Sequence, residues 1–278
     1  MKKKKEWRFI YSGKKDAFFN MALDEALLIL CEKKNIPPVL RIYQWEPEAV
    51  SIGYSQQIKK TVDLKKCKDL NVDVVRRLTG GRAVLHHNDL TYSICASKDY
   101  FDLLGESINE TYRKISLAFL KSLEFLSIKG EWERKSSRAS ELTSYDFSKP
   151  CFSSSIRYEI KVDGKKLIGS AQRRFKESFI QHGSVPLGKQ SLTLVDLLPQ
   201  MSEGKKQKIK MRLDKYAVSL QDLLSKNLNI NQILSAIKSG FSSFFSVDLK
   251  DYALGAEERN LIEKLIPKYK SEKWNFLR

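Results

Sequence analysis

The sequence predicts an α+β fold, and three observations predict it. Short alternating runs rich in β-type residues come first, one long amphipathic stretch interrupts them, and the last part of the 278-residue chain reads as mostly helical. Trp7 to Ser12 is a first strand. Asp16 caps a helix to about Lys33, with Ala17, Met21, Ala22, Leu28 and Ile29 among its apolar positions. Pro37-Pro38 stops that helix, and Val39 to Trp45 and Ala49 to Gly53 are two strands separated by the Glu46-Pro47 turn. Val72 to Arg77 is a strand that runs into LTGGRAVLHH, and Leu90 to Ser97 alternates again.

From Glu106 to Leu126 the positions Ile108, Tyr112, Ile115, Phe119, Leu123 and Leu126 recur every three or four residues, the stripe of a helix covering a sheet. Gly130 to Ser155 is Ser-rich and aperiodic, a long loop of the kind that is more often functional than structural. Asp163-Gly164 between alternating runs, Arg157 to Val162 and Lys166 to Gln172, is a hairpin signal. With those two residues as the turn, Lys161 faces Lys166 on one face and Ile160 faces Leu167 on the other. Two opposed lysines repel, so they mark either a solvated edge or a pocket that uses one of the charges. Phe179 to Leu187 is a further strand. Helical segments follow near Leu192 to Met201, Lys206 to Leu223, Asn231 to Phe245 and Ala256 to Leu265. The expected organisation is a core over residues 1–200 with a helical segment, 201–278, packed on it.

This length suffices for a large core without staples. The four cysteines, Cys31, Cys67, Cys95 and Cys151, contain no CxxC pair, and His86, His87 and His182 have no metal-ligand spacing, so neither a disulfide framework nor a metal is expected. The lysine run Lys2 to Lys5 leads into EWRFIYS rather than an apolar segment, and no apolar run approaches membrane-spanning length. A reduced cytoplasmic setting is therefore expected. The net charge of +17 suggests an acidic partner, although much of it lies in lysine runs that also suit a wet surface. No helix-turn-helix, stacking motif or zinc module accompanies the charge, which argues against nucleic acid.

Two constellations could carry chemistry. Arg76-Arg77-Leu78-Thr79-Gly80-Gly81-Arg82 sets a glycine pair among guanidiniums, where backbone can approach a ligand, but it matches no phosphate-loop pattern and also suits a plain hairpin. Among the thiols, Cys31 in a helix and Cys95 in a strand suit buried, inert positions. Cys67 lies in a basic stretch, and Cys151 follows proline in a polar loop 15 residues before Lys166. A cation beside either favours the reactive thiolate.

The stretches WRFIYSG, FNMALDEALL, IPPVLRIYQWEPEAVSIGYSQ, VVRRLTGGRAVLHHNDLTYS, CF followed by YEIKVDGKKLIGSAQRR, QHGS and KYKSEKWNFLR together resemble the lipoate and biotin ligase/transferase superfamily. Within it the chain is similar to the cysteine-dependent octanoyltransferases of Gram-positive-type bacteria. The RRxTGG and GKKLIGSAQRR motifs carry the superfamily, while Cys151 in its CF context and KWNF carry the branch.

The resemblance implies a ligase-like catalytic domain, a mixed and largely antiparallel sheet flanked by helices. It also implies transfer of octanoate from acyl carrier protein to the ε-amino group of a lysine on a lipoyl-accepting protein, such as glycine-cleavage H protein or a lipoyl domain. No cofactor or ATP is implied, because the donor thioester is already activated. Cys151 is the implied nucleophile and Lys166, three residues before the Gly of GSA, the implied activating lysine. Arg77, Gly80, Gly81 and His86 match one wall of the acyl pocket, and Gly169, Ser170, Ala171 and His182 the other. His87 departs from relatives that carry Asp at that position. An ATP-dependent lipoate-protein ligase and a lipoyl or octanoyl amidotransferase are the alternative activities.

Overall fold

Most of the alternating runs join one sheet in a computed structural model that describes residues 5–34, 36–134, 158–224 and 229–277. In chain order, β1 (Lys5–Lys15), α1 (Ala17–Lys34) and β2 (Val39–Trp45) lead into β3 (Ala49–Ile52), α2 (Ile58–Thr61), α3 (Leu64–Asp69), β4 (Asp73–Arg76) and β5 (Val84–His86). There follow β6 (Asp89–Ser97), α4 (Phe101–Leu104), α5 (Ile108–Glu124), β7 (Glu131–Arg134), β8 (Tyr158–Val162), β9 (Lys165–Arg174) and β10 (Ser178–Pro186). The chain continues through α6 (Glu203–Tyr216), α7 (Leu220–Leu223), α8 (Ile230–Phe245), β11 (Val247–Asp251), α9 (Ala256–Lys270) and α10 (Glu272–Asn275).

The large sheet runs β11-β1-β2-β6-β10-β9-β8-β7, and a small one runs β4-β3-β5. In the large sheet β1 is parallel to both neighbours and the other pairings are antiparallel, the mixed, largely antiparallel α+β arrangement expected. The central strands are covered on both faces. Leu40, Ile42, Tyr92 and Ile94 pack under α5 and α8, while Tyr43, Cys95 and Ile180 pack under α1 and α9. This explains why β6 is buried along its whole length. The small sheet closes a third core with α2, α3 and a 3-10 turn at Leu194–Leu197. Among the described residues no helix is long and apolar enough to cross a membrane.

Four expectations change. The helix expected near Leu192 to Met201 is that single 3-10 turn, closed by a Thr193–Asp196 capping box. The helix expected from Lys206 to Leu223 breaks after α6, where Val218 N donates to Lys166 O at 3.0 Å and Ala217 bridges β9. The helical C-terminal stretch contains a strand, β11, which pairs in parallel with β1 after Ser246 reverses the chain with positive φ. The Ser-rich loop begins as a strand, β7, against β8; the rest of that stretch, with Cys151, lies outside the described residues.

Residues beyond 201 complete the same cores. Helix α8 lies so close on α5 that a Cβ added to Gly240 would come within 2.2 Å of Ser122 Oγ and 2.4 Å of Ser122 N. We expect Gly240→Ala to lower stability by about 1–3 kcal/mol, because backbone cannot yield there. Gly204→Ala, in α6 with nothing within 4 Å of the added Cβ, is expected to change stability by at most about 0.5 kcal/mol. Urea unfolding midpoints compare the two; equal effects would contradict the close α5–α8 approach.

Candidate active site

The hairpin around Asp163-Gly164 forms as a two-residue turn with positive φ at both positions, and Lys161 pairs with Lys166. The next pair differs from expectation, because Ile160 faces Ile168 rather than Leu167. Leu167 is the extra residue of a β-bulge, and both Leu167 and Ile168 are buried in the core under α5. The bulge changes the parity of the strand. Without it Lys166 would face away from Gly169 and Ala171; with it, Lys166 shares their face, since Glu159 pairs with Gly169 and Lys161 with Lys166. Accordingly Lys166 Nζ meets Glu159 Oε1 at 2.8 Å, and both side chains are about 5% exposed. The solvated-edge alternative is thereby excluded for Lys166.

That face of the sheet carries two cross-strand rows. One runs Arg41, Ser93, His182, Ala171, and the next runs Tyr43, Thr91, Ser184, Gly169, Glu159. Above them lies a cavity of about 180 Å³. Arg77, Gly80, Gly81 and His86 on one side and Gly169, Ser170, Ala171 and His182 on the other all line it, so eight residues singled out in two distant stretches meet in one space. Neither Lys166 nor Glu159 lines it, but both share its face of the sheet, and Glu159 pairs with Gly169 of its wall. Cys151 lies outside the described residues. Of the other thiols, all buried, burial pushes Cys31 up to about 12 and Cys67 up to about 11, and raises Cys95 well above the ordinary thiol range. Cys67 is thus inert despite its basic neighbours.

The polar groups of the cavity form two relays that converge on Arg77. In one, Asp24 Oδ2 meets His182 Nε2 at 2.8 Å, His182 Nδ1 meets Thr79 Oγ1 at 3.2 Å, and Arg77 Nε donates to that hydroxyl at 3.2 Å. In the other, Asp89 Oδ2 meets His86 Nδ1 at 2.9 Å, His86 Nε2 meets Ser51 Oγ at 2.8 Å, and Arg77 Nη1 donates to Ser51 Oγ at 3.1 Å. Arg77 Nη2 in turn donates to the carbonyls of Gly80 and Arg82 at 2.6 and 2.8 Å. The guanidinium therefore shapes the glycine loop from within. Trp45 stacks on His86 with centroids 4.1 Å apart and donates to Thr91.

Glycine is required where this loop is pressed down. A Cβ on Gly53 would stand 2.0 Å from Gly81 O, and Gly81 itself has φ +88°. Arg76 anchors the loop from the other side. Its guanidinium donates to the carbonyls of Gly53, Tyr54, Gln56, Trp274 and Asn275, and Asn275 Oδ1 accepts from Arg76 N. The KWNF end thus clamps the RRxTGG strand. His87 leaves the site, bonding Glu48 at 2.6 Å.

Asp24, Asp89, Trp45 and Ser184 were not singled out from sequence. Asp24 lies one turn from Met21 in a helix whose polar positions look like surface, and only its Arg41 partner, 17 residues on in β2, reveals its place. Fully buried, Asp24 also accepts from Arg41 at 2.7 Å, Tyr43 at 2.8 Å and Ser93 at 2.6 Å. Burial alone would raise its pKa, but Arg41 and then His182 outweigh that and hold it well below the ordinary carboxylate range. Among the described residues no cluster of His, Cys, Asp and Glu could hold a metal ion.

Chemically, the small residues and Met21, Val84 and Tyr112 leave a mostly apolar chamber, and the Lys166–Glu159 pair lies on the same face of the sheet. Asp24→Asn is expected to destabilise the chain by about 3–5 kcal/mol at neutral pH, because Arg41 would keep a buried charge without its partner. The pKa of Asp24 is depressed on folding, so its contribution is present above the ordinary carboxylate pKa of about 3.9 and is lost as pH falls below it. Urea titrations at neutral and acid pH should show a shallower acid decline in the variant; an unchanged decline would contradict the assignment.

The family model for the lipoyl protein ligase A/B catalytic domain matches residues 16–242. Along 97% of its length the chain is 37% identical to an octanoyltransferase LipM of Kyrpidia tusciae, covering 98% of that protein. It is 36% identical to the octanoyltransferase LipM of Bacillus subtilis, with 99% of each covered. In structure it is similar to the bi-partite lipoate protein ligase of Thermoplasma acidophilum, TM-score 0.80 at 23% identity, covering 99% of this chain and 98% of that one. A lipoate-protein ligase A bound with ATP superposes with TM-score 0.76 at 23% identity, with 98% of each chain covered.

Proposed function

The chain belongs to the lipoyl protein ligase A/B catalytic domain family, and from that premise we propose that it is an octanoyltransferase of protein lipoylation. The donor is octanoyl-acyl carrier protein and the acceptor is the ε-amino group of a lysine on a lipoyl-accepting protein, glycine-cleavage H protein or a lipoyl domain. The observation that carries the reading is the bulge that brings Lys166 onto the face of the acyl-sized cavity, within a chain alike over its whole length to octanoyltransferases.

The reaction divides into two acyl transfers. The Cys151 thiolate attacks the donor carbonyl, a new C–S bond forms, and the carrier's C–S bond breaks to release its thiolate, which takes a proton from solvent. The acceptor amine then attacks the acyl-enzyme, a C–N bond forms, the amine loses a proton, and the Cys151 thiolate leaves. Lys166 lowers the thiol's pKa and sits beside the carbonyl, with Glu159 fixing the direction of its ammonium. The walls named above take the alkyl chain. Burying its methylenes at about 0.8 kcal/mol each gives several kcal/mol of preference for the full-length chain. Arg77, through the two relays, holds Gly80 and Gly81 against the chain and the thioester.

Intact-mass spectrometry tests this after incubation with octanoyl-carrier protein in the absence of ATP. One octanoyl adduct on the unaltered chain and none on Cys151→Ser is expected. Acylation that requires ATP and survives Cys151→Ser would replace this reading with that of a lipoate-protein ligase. Transfer from an octanoylated lipoyl protein but never from the carrier would replace it with an amidotransferase.

Lys166→Ala should slow alkylation of Cys151 by iodoacetamide at neutral pH, the rate recovering as pH rises toward the ordinary thiol pKa of about 8.5. An unchanged pH profile would remove the activating role from Lys166.

A further inference from the structure

Val84 lines both the acyl cavity and a second, larger groove of about 590 Å³. This groove runs between the RRxTGG-following strand β5, the end of β10 and the chain that joins α6 to α7. Its apolar side is Ala83, Leu85, Leu213, Ala217 and Val218. Its rim carries Lys165 and Lys189, both exposed, and Asp222. Nothing in the acyl transfer described so far uses it.

We propose that this groove receives the phosphate-bearing pantetheine arm of the acyl donor, with Lys165 and Lys189 facing the phosphate and the body of an acidic carrier lying over α6. The inference rests on the octanoyl-carrier reading above. A thioester carbonyl held beside Lys166, with its alkyl chain in the cavity, must send its sulfur substituent out along a continuous passage. The groove adjoins the cavity at Val84 and reaches Lys165, the neighbour of Lys166 on β9, so it is the adjoining space that the substituent would take. The arm is a neutral amide chain ending in a phosphodiester, which suits an apolar floor that ends in ammonium groups.

The charge balance supports the same occupant. Asp222 is engaged by Ser219, accepting from its N at 3.0 Å and its Oγ at 2.6 Å, so one committed carboxylate stands against two lysines. Those hydrogen bonds hold Asp222 below the ordinary carboxylate range, and Lys189 and Lys165 act in the same direction. Beyond the rim, α6 carries six Lys or Arg (205, 206, 208, 210, 212, 215) against two acidic residues, and Lys205, Lys208 and Lys215 are exposed. An acidic protein finds complementary charge there, adjacent to the mouth through which its arm would enter.

The test compares octanoyl-carrier protein with octanoyl-N-acetylcysteamine, a thioester with no phosphate and no protein body. The double variant Lys165→Glu/Lys189→Glu is expected to raise KM for octanoyl-carrier by about tenfold or more and to flatten its dependence on ionic strength, while KM for the small thioester changes by less than about twofold. An equal effect on both thioesters, or none on either, would overturn the assignment of the groove while leaving transfer from the carrier intact. Saturable ATP binding that the double variant abolishes would also overturn it, giving the groove to a nucleotide. If the unaltered chain takes no octanoate from the carrier at all, the reading on which the inference rests fails, and the inference fails with it.

Discussion

The buried Asp24 carboxylate is the contact on which the site depends. It sits on α1 under the centre of the sheet, accepts from residues on β2 and β6, and stands 2.8 Å from His182 Nε2 on β10. A carboxylate taken out of water is costly unless its lone pairs are filled and a cation stands beside it. Arg41, Tyr43, Ser93 and His182 meet both conditions. Such a hub fixes geometry more than it adds stability. The position of α1, the register of three strands and the plane of His182 are all set by one group, and the cavity walls follow from them.

The RRxTGG loop shows how that order is passed on. Each imidazole uses both nitrogens to link one carboxylate to one hydroxyl, Asp24 to Thr79 and Asp89 to Ser51, and both hydroxyls receive from Arg77. Arg77 then holds the carbonyls of Gly80 and Arg82, while Arg76 is locked into the C-terminal turn. A loop of glycines would otherwise be the freest part of the wall. Here two neighbouring arginines, facing opposite ways as strand residues must, tie it to the sheet on one side and to the chain end on the other.

Much of this was legible in the sequence, for identifiable reasons. Strands with strict alternation, the helix with a continuous apolar stripe and the Asp-Gly turn encode their structure locally, and they formed where expected. The lysine pair and the walls of the cavity were legible because motifs preserve their spacing. What was not legible depends on distant partners. The bulge at Leu167 leaves no mark in a run of apolar residues, since both parities look equally core-like. Asp24 stands in α1 beside Glu25 and looks like one more surface charge, and only a partner on β2 offsets the cost of its burial. Strand β11, five residues between two helices, takes its identity from the open edge of β1 rather than from its own pattern.

The distribution of charge connects these layers to function. Inside, the described carboxylates and the Lys and Arg cations of the site balance: Asp24 with Arg41, Glu159 with Lys166, and Asp89, bound by His86 and two hydroxyls, against Arg77. The excess of +17 therefore lies outside the cavity. An interior with balanced charge and apolar walls favours a neutral alkyl chain over an ion, whereas a basic exterior attracts acidic macromolecules over a range set by ionic strength. The apolar cavity and the basic exterior are thereby separated in space. On the function proposed above, the acyl chain would be selected by volume and desolvation in the cavity and its carrier by long-range charge on the surface, so one could change without disturbing the other.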